Sequence, residues 1–297
     1  MTIELDFLVI GHLTVDIEGT ERIPGGPAYY SALTAARLGK TVSLLTSGAS
    51  STAKNDLDTK LNLINIPAPI TTTFENIYVG ELRKQIIHSS ATPLEIRHLS
   101  AEWYNHQFVL LTPVFNEVDP AFASSFPNAV LGVLGQGWMR KSDDLGNIKQ
   151  VVWNNPEIYS QIQVLIISEN DIRNNMINRE WIEEIETFIL TLGSRGAIMH
   201  HNNQWFRIPP YPAHAEHPTG AGDVFGAAYL VRYSETYDPF ASSLFASCAA
   251  SLKVENRGFT GVPTREKIVR RMNRFQDLEI THHINTLPSD LNIINGS

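Results

Sequence analysis

Short apolar runs that end in small or polar residues recur along the chain, and each is typical of a strand buried on both faces of a parallel sheet. These runs cover residues 6–11, 41–46, 108–112, 130–133, 164–168, 188–192 and 197–200. Apolar positions repeat at helical spacing over residues 29–38, 181–189, 224–233 and 244–254. Strands that alternate with helices predict βαβ units and a mostly parallel α/β sheet, whose ligands bind beyond the carboxyl ends of the strands.

Two segments do not follow this rhythm. Residues 14–22 and 71–90 are rich in threonine and charged residues, and their apolar positions alternate without helical spacing. Such alternation predicts exposed, antiparallel strands that stand apart from the parallel core. A small sheet that covers a cleft and a plain surface hairpin explain the pattern equally well. We expect a single domain over residues 1–297, with lid strands at about 12–22 and 71–90.

The composition narrows the classes of function. Hydrophobic residues make up 43% and charged residues 18% of the 297 residues, which is typical of a folded globular protein. The formal net charge is −8, and no basic stripe is present to displace counterions from a nucleic acid. No apolar run reaches about 18–20 residues, and a basic signal-peptide start is missing. The single cysteine, Cys248, excludes an internal disulfide. We therefore expect a cytoplasmic protein without a nucleic-acid or membrane partner.

The heptapeptide HPTGAGD at residues 217–223 leads directly into a helical run of small and apolar residues. The N–H groups in the first turn of a helix, together with the helix dipole, favour an anion, and Gly220 and Gly222 let these amides approach a phosphate closely. Asp223 then lies where the dipole favours its ionised form, as a general base requires. The alternative is that Asp223 is an ordinary N-cap and the glycines form a loop. A dinucleotide fingerprint is disfavoured because residues 209–216 do not form an apolar strand.

This heptapeptide resembles the signature near the C-terminus of the ribokinase-like (PfkB) family of carbohydrate and nucleoside kinases. Other segments resemble further motifs of that family in the same order along the chain. They are GHLTVD at 11–16, GG at 25–26, SEND at 168–171, TLGSRGA at 191–197 and the turn at 258–263. The resemblance spans nearly the whole chain. It implies an α/β, three-layer ribokinase-like fold, with a central mostly parallel sheet flanked by helices and a small β lid.

For the reacting groups, the resemblance implies that Asp223 is the catalytic base and that amides of Gly220, Ala221 and Gly222 form the anion hole. Asp171 is implied to steer a magnesium ion, through water because it is shorter than the family's glutamate. The implied nucleotide-binding residues are Thr191, Gly193, Ser194, Gly196 and Ser247. Ser247 is equally compatible with a role in helix packing.

On the acceptor side, a carboxylate such as Asp16 accepts hydrogen bonds from substrate hydroxyls. Tyr30 stands where ribokinases commonly have asparagine, which argues against plain ribose. The run GQGWMR at 135–140 resembles the inositol-kinase-like branch, although Arg140 is also typical of a solvated loop. The substrate-binding residues that the resemblance implies are Asp16, Gly25, Gly26, Tyr30, Gln136 and Arg140.

The sequence thus predicts an ATP-dependent kinase that phosphorylates a hydroxyl of a small polyol, namely a sugar, a cyclitol such as myo-inositol, or a nucleoside. Magnesium is the implied cofactor. His217 stands where the family often has an aspartate that helps hold a monovalent cation, so the need for such a cation stays open. The alternative is a catalytically silent protein of the same fold that binds a sugar or nucleotide, and an NAD-dependent oxidoreductase ranks last. We expect a monomer or a homodimer.

Overall fold

Strands and helices are placed here for residues 7–49, 61–79, 82–172, 174, 176–278, 281–282 and 291–294, which the computed structural model describes. In chain order the first nine strands are β1 (Phe7–Ile10), β2 (Thr14–Glu18), β3 (Glu21–Gly25), β4 (Val42–Gly48), β5 (Leu61–Pro67), β6 (Thr72–Val79), β7 (Leu82–Ser89), β8 (Phe108–Leu111) and β9 (Val130–Leu134). The others are β10 (Arg140–Ser142), β11 (Ile148–Gln150), β12 (Val164–Ser168), β13 (Met176–Asn178), β14 (Thr187–Thr191), β15 (Ala197–His201), β16 (Gln204–Ile208), β17 (Thr281–His282) and β18 (Asn292–Ile294). The α-helices are α1 (Pro27–Arg37), α2 (Arg179–Glu184), α3 (Ala221–Thr236), α4 (Pro239–Lys253) and α5 (Arg265–Arg274).

The central sheet has the strand order β17-β16-β15-β14-β12-β9-β8-β1-β4-β5. From β14 to β5, neighbouring strands run parallel. Strands β15, β16 and β17 form an antiparallel edge. Every residue of β1 and β8 is buried because both faces of the sheet are covered, which explains their continuous apolar runs. The predicted fold class, a mostly parallel α/β sheet flanked by helices, is confirmed.

On one face of the sheet, α1 and α3 pack on the strands, and α4 packs on α3. Small residues let α3 come close to the sheet, because a Cβ on Gly226 would lie 2.3 Å from a methyl group of Leu134 in β9. This close packing fixes the N-terminus of α3 near the carboxyl ends of the strands. Within the described residues, none of the helices combines the length and apolar character needed to cross a bilayer.

On the opposite face, the connections are mostly short 3-10 helices. These turns are Ile96–His98, Ala101–Asn105, Pro120–Ser125, Gly135–Met139 and Pro156–Gln161. The helix expected over residues 181–189 is wrong in its second half, because α2 ends at Glu184 and the chain enters β14 at Thr187. Thr187, Phe188 and Ile189 favour a strand, and there they pair with β12.

The two segments that break the alternating pattern meet in a separate four-stranded sheet of order β3-β2-β6-β7, called the upper sheet below. In it, β2 pairs antiparallel with β3 and parallel with β6, and β6 pairs antiparallel with β7. Residues 80 and 81, inside the predicted lid range, lie outside the described residues. A hairpin of β10 and β11 adjoins this sheet, since Ile87 N–H donates to the Gly146 carbonyl at 2.9 Å.

Candidate active site

A cleft of about 1480 Å³ lies between the upper sheet and the carboxyl ends of the central strands. Its floor includes the terminal residues of three central strands, Leu134 of β9, Ser168 of β12 and Thr191 of β14. Phe74 of β6 lines the cleft from the upper sheet, and the N-terminus of α3 forms another wall. This is the position at which ligands bind in open α/β sheets.

Most of the residues that the sequence singles out meet in this cleft. Those in its wall are Asp16, Gly26, Tyr30, Gln136, Arg140, Asp171, Thr191, Gly220, Gly222 and Asp223. The others are absent from the wall that the described residues form, namely Gly25, Gly193, Ser194, Gly196, Ala221 and Ser247. Asp16, predicted for the acceptor, and Asp171, predicted for the donor, thus line the same cleft.

The N-terminus of α3 presents backbone N–H groups to the cleft. Gly220 is the N-cap in a left-handed conformation, with φ 83°, and no side chain caps the helix. The alternative that Asp223 is the N-cap is therefore wrong, because Asp223 lies three residues further on, inside the first turn. The amides of this turn lack intrahelical partners. That of Ala221 donates instead to the Pro218 carbonyl at 3.1 Å. The first turn, with the carboxylate of Asp223 beside it, can thus hold an anion and accept a proton.

The side chain of Tyr30 in α1 packs against this turn. It lines the cleft but is only 4% exposed. A Cβ on Gly220 would lie 2.7 Å from the Tyr30 ring, so the ring and the N-cap are in direct contact. Burial raises the pKa of Tyr30 far above its usual value, and the nearby carboxylates of Asp223 and Asp16 raise it further. The phenol is therefore neutral at any physiological pH.

Two glycines allow the loop before α1 to pass close to Asp16. A Cβ on Gly25 would lie 2.7 Å from Asp16 Oδ2, and a Cβ on Gly26 would lie 2.8 Å from the His12 carbonyl. Gly26 also has φ 97°, which favours glycine. The Asp16 carboxylate accepts a hydrogen bond from Thr14 Oγ1 at 3.4 Å. Gly25 thus makes room for the carboxylate while Gly26 faces the cleft.

The 3-10 turn that follows β9 places Gln136 and Arg140 side by side in the cleft. Arg140 donates from Nη2 to Gln136 Oε1 at 2.9 Å and from Nη1 to the Val114 carbonyl at 3.2 Å. These bonds hold the guanidinium in a fixed orientation at the cleft wall. The alternative of a solvated loop arginine does not fit this placement, since the side chain is half-buried and bonded.

We expect Gly137→Ala to destabilise the fold, because a Cβ there would lie 2.3 Å from the backbone carbonyl of Pro113. Backbone cannot move aside as a flexible side chain does, so the free energy of unfolding should fall by about 1–3 kcal/mol or more. Thermal unfolding measures the change. Gly48→Ala is the control, since its Cβ would meet nothing closer than Thr71 Oγ1 at 3.3 Å. Equal melting temperatures for the two variants would contradict the close approach at Gly137.

On the donor side, Asp171 closes the turn that follows β12. Its Oδ2 accepts the Ser168 N–H at 2.9 Å. This bond directs the carboxylate toward the end of the strand, where Ser168, Asn170 and Thr191 also line the cleft. In the part of the chain that the structure describes, no group of three or more His, Cys, Asp or Glu residues could hold a metal ion.

The loop that follows β14 turns away from the cleft wall. Leu192 N–H donates to the Gly196 carbonyl at 2.8 Å, which closes a tight turn around Gly193 and Ser194. Gly196 has φ 88°, and a Cβ there would lie 2.3 Å from the Ile208 carbonyl. Ser247 is buried and donates from Oγ to the Pro209 carbonyl at 2.7 Å. Gly193, Ser194, Gly196 and Ser247 thus lie outside the wall that the described residues form around the cleft.

Several residues that line the cleft were not predicted from the sequence. They come from β7 and from the β10–β11 hairpin, and they are Lys84, Gln85, Lys141, Asp143, Lys149 and Gln150. An ion pair at 3.2 Å joins Lys149 and Asp143 across the hairpin. The sequence feature that indicates this hairpin is the run of polar residues on both sides of Gly146, which predicts a turn. It does not predict that the turn reaches over the cleft.

Comparisons of the sequence find one family model, which matches the second half of the chain, and several partial relatives. Residues 159–265 match the model of the pfkB family of carbohydrate kinases. A nucleoside kinase of Methanocaldococcus jannaschii is 30% identical over 125 residues, 40% of this chain and 41% of that protein. A ribokinase of Bacillus subtilis is 38% identical over 80 residues, 27% of each chain. These matches span less than half the length of the curated relatives.

Comparisons of the structure extend over nearly the whole chain. A pyrophosphate-dependent kinase in the ribokinase family superimposes with a TM-score of 0.74 at 18% identity, covering 89% of this chain and 99% of that one. The ribokinase of Thermotoga maritima superimposes with a TM-score of 0.69 at 18% identity, covering 91% and 99%. At this level of identity, the superpositions establish the fold. Together with the family match, they confirm the resemblance to the ribokinase-like family.

Proposed function

We propose that this ribokinase-like protein is an ATP-dependent kinase that transfers the γ-phosphoryl group to a hydroxyl of a small polyol. The observation that carries the proposal is that Asp223 and the N-terminus of α3 line the same cleft as Asp16, Asp171 and Thr191. Phosphoryl transfer requires an acceptor and a donor that meet in line at a base and a fixed positive potential.

In the proposed reaction, the acceptor oxygen forms a bond to the γ-phosphorus. The bond between that phosphorus and the bridging oxygen breaks, and the electron pair leaves with ADP. The hydroxyl proton passes to the carboxylate of Asp223. Amides of the first turn of α3, at Gly220 and Gly222, stabilise the charge on the transferring group. The amide of Ala221 contributes only when its bond to the Pro218 carbonyl is released.

Magnesium would neutralise charge on the donor phosphates and hold them for transfer. The residues present fit that role in a limited way, since Asp171 lies beside polar groups in the cleft wall but belongs to no group of three or more His, Cys, Asp or Glu ligands within the described residues. Magnesium retains several waters and bonds to phosphate oxygens, so Asp171 would support it through water. Thr191, Gly193, Ser194, Gly196 and Ser247 remain the proposed nucleotide-binding residues.

For the acceptor, the chemistry of the cleft favours a neutral molecule with several hydroxyl groups. Asp16 and Gln136 offer acceptor oxygens, and Arg140 offers donors whose orientation is fixed. Gly25, Gly26 and Tyr30 complete the proposed acceptor side. One structural neighbour, a pyrophosphate-dependent kinase in the ribokinase family, was solved with a pyrophosphate analog and myo-inositol, at a TM-score of 0.71 and 19% identity. A cyclitol is therefore included among the proposed acceptors, and pyrophosphate among the donors to be tested.

A screen of acceptors tests the proposal. Purified protein is incubated with magnesium, ATP or pyrophosphate, and myo-inositol, ribose, fructose, fructose 6-phosphate or nucleosides, and release of ADP or phosphate is measured. We expect magnesium-dependent turnover with ATP that appears only when the correct polyol is present. If turnover occurs with pyrophosphate and not with ATP, pyrophosphate is the donor in place of ATP, and the proposed transfer to the polyol still holds.

The second candidate is a catalytically silent protein that binds the same ligands. A silent protein would bind its ligands in the same cleft. Binding measured by calorimetry with the same panel, compared with turnover, therefore distinguishes it from the kinase. Saturable binding of a polyol without release of ADP or phosphate would establish the silent protein. Turnover would exclude it.

A further inference from the structure

Lys253, the last residue of α4, carries a charge that the proposed chemistry does not use. Its side chain is 0% exposed. The ammonium group donates hydrogen bonds to the backbone carbonyl oxygens of His217, at 3.3 Å, and Asn256, at 3.1 Å. Burying a charge in this way costs free energy unless it is hydrogen-bonded and electrostatically balanced. Backbone carbonyl oxygens are also the groups with which a protein holds a free monovalent cation. The Lys253 ammonium thus takes the place of such an ion.

The chain around Lys253 is shaped to receive its side chain. A Cβ on Gly261 would lie 3.0 Å from Lys253 Cδ and 2.6 Å from the Asn256 carbonyl oxygen. Any larger residue at 261 would therefore crowd the stem of the lysine and one of its two carbonyl partners. On the other side, the Val254 carbonyl accepts the N–H groups of Glu216 and His217, at 3.0 and 2.8 Å. The end of α4 is thus fastened to the loop at 217–223.

The same lysine is connected to the anion site through Tyr30. Lys253 Nζ lies 5.5 Å from the centre of the Tyr30 ring, over its face. The same ring is in contact with Gly220, the N-cap of α3, since a Cβ there would lie 2.7 Å from it. A second recess of about 270 Å³, lined by Lys253 and His217, shares Tyr30 and Pro218 with the main cleft. The ammonium is therefore bonded to the first residue of the loop at 217–223 and shares the Tyr30 ring with the N-cap of α3.

The charge on Lys253 acts on the cleft. Burial lowers the pKa of Lys253 to about 8, and the carboxylate of Asp223 opposes that fall. The lysine is therefore largely protonated at neutral pH. By the same attraction, the ammonium favours the ionised carboxylate of Asp223 and adds positive potential beneath the site of the transferring phosphoryl group.

We propose that the Lys253 ammonium is a built-in monovalent cation, which holds the loop at 217–223 in place and supplies positive potential beneath the anion site. Lys253 is thus a positioning residue, and its role in turnover rests on the proposed function. Because the cation is covalently part of the chain, activity should not require potassium.

Salt dependence of turnover tests the proposal first. Wild-type turnover should be the same in potassium chloride and in tetramethylammonium chloride, whose methyl groups keep carbonyl oxygens from approaching its charge as closely as they approach potassium. Lys253→Met keeps an apolar stem but removes the charge, and it should lower turnover about tenfold or more in either salt. The control is Lys267→Met, an exposed lysine on α5, which should behave as the wild type.

Rescue by a free cation is the decisive measurement. Lys253→Ala vacates the space around the carbonyl oxygens of His217 and Asn256. Potassium or ammonium chloride should restore part of its turnover, whereas tetramethylammonium chloride should not. The same cations should raise the melting temperature of Lys253→Ala, measured by thermal unfolding, and leave that of the wild type unchanged. If Lys253→Ala does not fold, the turnover of Lys253→Met decides the outcome.

Three results would overturn the proposal. They are wild-type turnover that depends on potassium, full turnover of Lys253→Met, and a folded Lys253→Ala that responds to no monovalent cation in either measurement. The melting-temperature measurement does not need turnover. A cation response of Lys253→Ala without turnover in any variant would therefore support the cation site while refuting the proposed kinase activity.

Discussion

Replacing Asp223 with asparagine should lower kcat by about 10²–10⁴-fold, the usual contribution of a general base. The amide is nearly isosteric with the carboxylate, but it cannot accept the proton of the acceptor hydroxyl. Since Gly220 is the N-cap of α3, the change leaves the helix cap intact. Steady-state turnover with the acceptor found in the screen measures the effect, and KM should change much less than kcat.

Asp238→Asn is a matched control for that variant. Asp238 is the exposed N-cap of α4, and its carboxylate accepts the N–H groups of Phe240 and Ala241. Asparagine caps a helix about as well as aspartate. Turnover and melting temperature of this control should therefore equal those of the wild type. If Asp223→Asn also kept wild-type turnover, Asp223 would not be the base.

A pair of glycine variants at the N-terminus of α3 should separate activity from stability. A Cβ on Gly222 would meet nothing within 4 Å, and this residue lines the cleft. Gly222→Ala should stabilise the helix by about 0.4–1 kcal/mol because alanine loses less entropy on folding. The new methyl group would nevertheless occupy space that the phosphoryl group needs. We expect turnover to fall by about 10²–10³-fold, comparable to loss of one oxyanion-hole donor.

Gly220→Ala should instead lose both turnover and stability. Its φ is +83°, and its Cβ would lie 2.7 Å from the Tyr30 ring, so both backbone strain and a clash oppose the change. The free energy of unfolding should fall by about 1–3 kcal/mol. Thermal unfolding and turnover of both variants are measured together. Wild-type turnover in Gly222→Ala would show that the first turn of α3 does not approach the transferring group.

Most strands of the parallel core could be predicted because they are buried on both faces, whereas the edge strand β5 is only partly buried and was not predicted. Continuous apolar runs such as Val164–Ser168 have the same bounds in sequence and structure. The glycine pattern at 217–223 likewise predicted where α3 begins, since Gly220 adopts a conformation that glycine favours.

The crossovers on the opposite face could not be predicted in the same way. Their 3-10 turns are short, and proline stands at the start of those at Pro120–Ser125 and Pro156–Gln161. The role of Lys253 was also hidden, because a lysine in the last turn of a helix is usually exposed and complements the helix dipole. Its burial depends on the loops at 217 and 256, which are distant in the sequence and meet only in the fold.

The hydrogen bond between Ile87 and Gly146 determines how the cleft can widen on this side. It joins the upper sheet to the β10–β11 hairpin, and Ile86 pairs with Asn147 at the same place. Two segments that are distant in the sequence therefore form one continuous wall. A motion that widens the cleft here must move both segments together or break the hydrogen bonds between them.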